Sequence, residues 1–148
     1  MSHVLAAAAA RLWPADPPDP AGIDFCLDAQ RQFLRSTLPD ALADYAFPEH
    51  APPGAARFFE RNGQYEGLDP RLLWAQLRHE PPKRIVEVGS GFSTLLIAEW
   101  IRRHAPDARL CCIEPYPRPF LPEALAGIGE LRREPVQQTP AVVFDALG

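Results

Sequence analysis

The sequence predicts an α/β protein built on a parallel sheet, and three observations carry that prediction. Residues 85–94 read Ile85-Val86-Glu87-Val88-Gly89-Ser90-Gly91-Phe92-Ser93-Thr94: a β-branched run, two glycines spaced by one, then a helix start. Leu110-Cys111-Cys112-Ile113 is a second short apolar run, ending at Glu114. Between them, Leu95, Leu96, Ile97, Ala98, Trp100 and Ile101 give a helix a broad apolar surface, and Pro106 lies just past its end. Strand, helix and strand in that order make a crossover between parallel neighbours.

Taken from the N-terminus, residues 2–12 read as an Ala-rich helix, and Pro14, Pro17, Pro18 and Pro20 then break the chain into an extended linker. Residues 21–38 return to helical spacing, with Ile23, Leu27, Leu34 and Leu38 along one side, and Pro39 is expected to interrupt them before a turn over 40–46. Phe47 to Ala56 is rich in Pro and Gly and reads as loop. The organisation therefore divides into a helical, Pro-rich extension (1–56) and an α/β domain (57–148). Asp69-Pro70 predicts a helix start, with Asp as N-cap and Pro at the first helical position; that helix runs to about His79 and stops at Pro81-Pro82. Beyond Glu114, Pro115-Tyr116-Pro117-Arg118-Pro119-Phe120 is a stiffened loop, Pro122 to Ile128 a short helix, and Leu131 to Gln137 an edge strand containing Pro135. Thr139-Pro140 opens a last amphipathic helix carrying Ala141, Val142, Val143, Phe144 and Leu147, with Gly148 at its C-cap.

Composition bounds the partners. The formal charge is −4 over 148 residues, which gives no electrostatic case for nucleic acid or an anionic membrane. No apolar run approaches the ~20 residues of a membrane span, and the Val4–Ala10 run lacks the basic flank of a signal peptide. Cys26, Cys111 and Cys112 make no disulfide framework and read as small buried hydrophobes, the last two on opposite faces of one strand; a cytoplasmic setting fits. His3, His50, His79 and His104 have no ligand-spaced partners, so no metal site is expected. Ser90 between two glycines lacks the Gly-x-Ser-x-Gly spacing of a nucleophile elbow.

The chemistry concentrates at the first strand's end. Gly89 and Gly91 permit backbone angles and close approach that a Cβ would block. Ser93 or Thr94 can cap the helix, and a ligand at the turn would meet free N–H groups and the positive end of the helix dipole. Glu114 follows Gly91 by roughly the ~20 residues at which an acidic side chain grips a ribose diol. A dinucleotide fingerprint needs Gly or Ala where Thr94 stands, and an apolar residue where Glu87 stands.

The pattern acidic-x-Gly-x-Gly-x-x-Thr, Glu87 to Thr94, instead resembles motif I of the class I S-adenosylmethionine-dependent methyltransferases, and Glu114 resembles that family's acidic residue at the end of the second strand. The resemblance covers roughly residues 57–148. It implies a partial Rossmann-like sheet, strands 1–3 of a seven-stranded one, with the first strand at one side and helices in front. It implies that Gly89, Ser90 and Gly91 pass beneath the methionine and ribose parts of S-adenosyl-L-methionine, with Ser93 and Thr94 at the helix start beside them. Glu87 would orient the loop and the cofactor's amino group, Glu114 would hold the ribose hydroxyls, and Pro115 and Tyr116 would flank the adenine. Tyr65 and Trp74 are aromatic residues placed to line the cleft or to pack the core, core packing being the favoured role.

The chain stops where that family's fourth strand would begin. The resemblance therefore implies a fragment of a longer product, or a partner chain, a second copy or the N-terminal helices covering the 85–88 edge; the fragment is favoured. The function expected is methyl transfer to a small-molecule acceptor. The alternatives are a non-catalytic cofactor-binding remnant acting with a partner and, less favoured, an NAD-dependent oxidoreductase. No catalytic base is assigned.

Overall fold

The computed structural model describes residues 22–54, 56–145 and 147. The helix expected over 2–12, the prolines at 14–20 and the Gly148 cap lie outside the described residues. The chain divides into two compact units, Met1–Arg31 and Gln32–Gly148.

In the first unit, Cys26 is exposed with φ +49°, against the burial expected for it. Ile23 and Leu27, expected on an apolar face, are exposed as well. Asp24 Oδ1 accepts from the Cys26 N–H at 2.8 Å and sets the turn that leads into helix α1 (Leu27–Gln32).

The second unit opens with a π-helical turn over Phe33–Thr37 and helix α2 (Leu38–Ala41). Pro39 does not break this run. It sits in the first turn of α2, where its missing N–H needs no partner, and the wide turn before it spares the ring a clash with the preceding carbonyls. Helix α3 (Leu68–His79) follows a loop. Its N-cap is Gly67, at φ +71°, so Asp69 and Pro70 lie within the first turn rather than at the cap as expected.

Strands β1 (Arg84–Val88), β2 (Arg109–Ile113) and β3 (Gly129–Arg132) form a three-stranded parallel sheet in the order β1-β2-β3. The fold is thus α/β and Rossmann-like, as the sequence implies. Helix α4 (Phe92–His104) joins β1 to β2, and α5 (Leu121–Leu125) precedes β3. β3 starts and stops earlier than expected. Gly129 lies so close to Leu110 that a Cβ there would meet its carbonyl oxygen at 2.1 Å. Pro135 lies past the strand, and Val136–Gln138 is a 3-10 turn leading towards α6 (Val142–Asp145). Thr139 does not cap α6; its hydroxyl donates to Glu134 at 3.0 Å.

Strand alternation sorts the core. Ile85, Leu110, Cys112 and Leu131 face α4, which is apolar nearly all round because α3, α5 and the sheet all pack on it. Leu95, Leu96, Trp100 and Ile101 are essentially inaccessible, and each buried aliphatic side chain contributes about 1.5–3 kcal/mol. Trp74 is fully buried among Tyr45, Phe47 and His104, with its Nε1 donating to Asp44 at 3.1 Å; it is core and does not line a cleft. The other sheet face, with Val86, Cys111 and Ile113, is covered by Val136, Val143 and Phe144. Cys111 and Cys112 are free, buried and on opposite faces, as expected.

Candidate functional site

The parallel sheet brings the C-terminal ends of β1 and β2 side by side, with Val88 opposite Ile113. That register sets the Gly89-Ser90-Gly91 turn beside Glu114. Gly89 has φ +80°, an angle that disfavours a side chain, and donates to the Ile113 carbonyl at 3.0 Å. Gly91 is extended and is the N-cap of α4. A Cβ built on either glycine would meet no heavy atom within 4 Å, so the space beside the turn is open.

The turn's amides are not free, against the sequence-based expectation. Gly89 N–H serves Ile113, Ser90 N–H donates to Glu114 Oε2 at 3.2 Å, and Gly91 N–H donates to Thr94 Oγ1 at 2.9 Å. Thr94 therefore does stabilise the helix start, but by reaching back from the first turn rather than from the cap position; Ser93 likewise lies inside the helix. An anion at this turn would find these three donors already engaged.

Both acidic residues converge on the turn. Glu87 Oε1 accepts from the Ser93 hydroxyl at 2.6 Å, and its Oε2 accepts from Thr94 Oγ1 and, at 3.5 Å, from the Cys112 thiol. Burial pushes the Glu87 carboxyl above the ordinary carboxylate range, an effect these hydrogen bonds partly offset. The Cys112 thiol is itself pushed up to about 12, chiefly by burial and also by the Glu87 charge, so it stays protonated as a donor. Ser90 Oγ is buried without a hydrogen-bond partner among the described residues.

Glu114 faces the glycine turn. Its Oε1 accepts from the Tyr116 N–H at 2.8 Å while Oε2 holds Ser90. Each oxygen keeps a further lone pair, so two hydroxyls can still be accepted. Pro115 is half-buried behind it and Tyr116 is 88% exposed, a ring free to lie on a flat ligand.

Residues that motif spacing does not single out complete the surroundings. Asn62 pins the 62–66 loop: its amide donates to Phe59 and Tyr65 carbonyls at 2.9 Å each, and its oxygen accepts from Gln64 and Tyr65 N–H at 3.1 and 2.8 Å. The Asn62-Gly63 dipeptide is the turn signal that could have marked it. Tyr65 is half-buried and its hydroxyl donates to the Asp69 carbonyl at 3.2 Å. Its hydroxyl pKa is pushed up to about 12 by burial first, then by the charges of Asp69 and Glu87, which sets it within electrostatic reach of the site. Phe92, the first residue of α4, packs against Phe59 and Phe120 with ring centroids 5.5 Å apart in each pair.

A separate hollow of about 500 Å³, lined by Lys83, Arg84, Arg109 and Glu130 among others, opens at the opposite, N-terminal ends of the strands. Ligands of open α/β sheets bind at the carboxyl ends, so the glycine turn is the candidate site. Among the described residues no cluster suits a metal ion, and no helix is long and apolar enough to cross a membrane.

No family model and no solved structure matches the chain. Over 93 residues it is 34% identical to an uncharacterized protein of Archaeoglobus fulgidus, a match covering 61% of this chain and 42% of that protein. The chain thus spans less than half the length of this relative.

Proposed function

We propose that this chain binds S-adenosyl-L-methionine at the glycine turn and serves methyl transfer to a small-molecule acceptor. One observation carries the reading: two carboxylates, Glu87 and Glu114, bracket a turn whose own amides are consumed internally. A pyrophosphate needs free amides and no neighbouring negative charge. A cationic nucleoside with a ribose diol needs the reverse, which argues against the NAD-dependent alternative.

The residues present fit such a ligand. The open space beside Gly89 and Gly91 admits the close approach of its backbone-facing side. Glu114, held by Ser90 and Tyr116, presents lone pairs to the ribose hydroxyls, and Tyr116 and Pro115 flank the adenine. Glu87 fixes the turn through Ser93 and Thr94 and favours the cofactor's ammonium group. When bound, the cofactor supplies an electrophilic methyl group; the chain's part is to hold it in line with an acceptor.

A second reading, a non-catalytic cofactor-binding unit that works with further polypeptide, is favoured by the outer edge of β1, which no described strand pairs. Titration calorimetry with S-adenosylhomocysteine and with NAD tests the first reading. Binding of the former and not the latter is expected; binding of NAD alone would overturn it. Methyl transfer by the isolated chain, measured over a panel of acceptors, separates catalysis from binding alone.

A further inference from the structure

Arg118 stands where the two loops of the site meet. It lies in the loop that leaves β2 at Glu114, and its guanidinium sits over the Phe92 ring, 5.4 Å from the centroid. Phe92 directly follows Gly91. One Nη2 donor reaches across to Gln64 Oε1 at 2.6 Å, on the loop that Asn62 pins. Gln64 is neutral, and among the described residues the Arg118 side chain enters no ion pair and no other hydrogen bond, its backbone carbonyl alone accepting from Leu121 N–H. The site thus holds a guanidinium whose orientation is fixed by an aromatic face and an amide, with its remaining donors and its charge unspent.

We propose that Arg118 binds the carboxylate of the cofactor's amino-acid end, an inference that rests on the methyltransferase reading above. That end is a zwitterion. Its ammonium suits the acidic side of the turn, where Glu87 lies. Its carboxylate would be repelled there by Glu87 and Glu114, and the turn's amides are already engaged. A counter-charge must come from elsewhere. Arg118 supplies it beside Gly91, and a stacked guanidinium keeps its edge donors for a bidentate grip on a planar carboxylate. The Gln64 contact then holds the side chain across the site before the ligand arrives, which lowers the ordering needed on binding.

The test compares two ligands on the whole 148-residue chain. S-adenosylhomocysteine carries the amino-acid end; methylthioadenosine shares the nucleoside and thioether but lacks it. Arg118→Gln should weaken S-adenosylhomocysteine by about tenfold or more, the scale of a charge-assisted hydrogen bond, and leave methylthioadenosine within about twofold. Arg118→Lys should recover part of the loss, because charge returns without the planar fork. Thermal melting of each variant confirms folding, which the exposure of Arg118 favours. Equal loss for both ligands, or no loss for either, overturns the role of Arg118 while leaving the cofactor reading standing. Binding of neither ligand by the unmutated chain overturns both.

Discussion

At the scale of single residues, the site is governed by where two carboxylates lie. Glu87 is held largely out of water, and its pKa is raised in the folded chain. A carboxyl whose folded pKa exceeds its unfolded value binds more protons when folded, so its stabilising contribution is present below the unfolded value and is lost as pH rises through the folded one. Glu87→Gln should therefore be more stable than the unmutated chain at neutral pH, with the gap closing in acid; urea melts across pH 4 to 8 measure this (approximate range). Glu114→Ala should weaken S-adenosylhomocysteine binding by about 1.5–3 kcal/mol, read by calorimetry. Unchanged affinity would contradict a ribose role. Glu87 and Glu114 were legible in the sequence because strand ends and glycine spacing fix them locally. The engagement of the turn's amides was not, because one partner, Ile113 O, is set by the β1–β2 register and another, Glu114, by the strand's exit. Arg118 carries no local signal of the Phe92 ring beneath it, since those residues meet only after the β2 loop folds back.

Secondary-structure elements hold these residues in place through a few tight contacts. β3 approaches β2 at Gly129, where a Cβ would strike the Leu110 carbonyl. Gly129→Ala should destabilise the unit by about 1–3 kcal/mol, seen as a lowered urea midpoint with an unchanged slope. This close approach also explains why alternation of residue types placed the strand too late: glycine reads as a loop until a neighbouring backbone is known to need its absence of a side chain. Trp74 anchors α3 against the loop at Tyr45 and Phe47. Trp74→Ala should cost about 3–5 kcal/mol, the usual loss for a buried large aromatic. The segment just before α3 is tied to α4 by Arg57, whose Nε and Nη2 donate to Glu99 at 2.7 and 2.9 Å. That pair holds the Glu99 carboxyl below its ordinary range. The order of strands and helices was readable from apolar periodicity and the glycine turn. The uninterrupted passage of the chain through Pro39 was not, because a π turn has no periodic signature of its own.

For the whole molecule, β1 forms one edge of the sheet, and no described strand pairs with its outer side. The Lys83 carbonyl and Gly89 N–H both bond to β2 or its flank, so the alternation of a parallel ladder turns the backbone groups of Arg84, Val86 and Val88 outwards. Val88 is 54% exposed and Val142 is 67% exposed, large values for apolar residues near a sheet. An apolar strand edge of this kind favours pairing with another chain. Val88→Lys should reduce concentration-dependent association in sedimentation experiments; association that is unchanged would mean the edge is already protected.

The outward-facing peptide groups of β1 leave a signature in solvent. Deuterium uptake along this strand should alternate, fast at Val86 and Val88 and slow at Ile85 and Glu87, every second amide being locked into the ladder. Should a further polypeptide dock there, the fast set would slow to match its neighbours, so a single exchange spectrum would report whether the strand has gained a neighbour on that side.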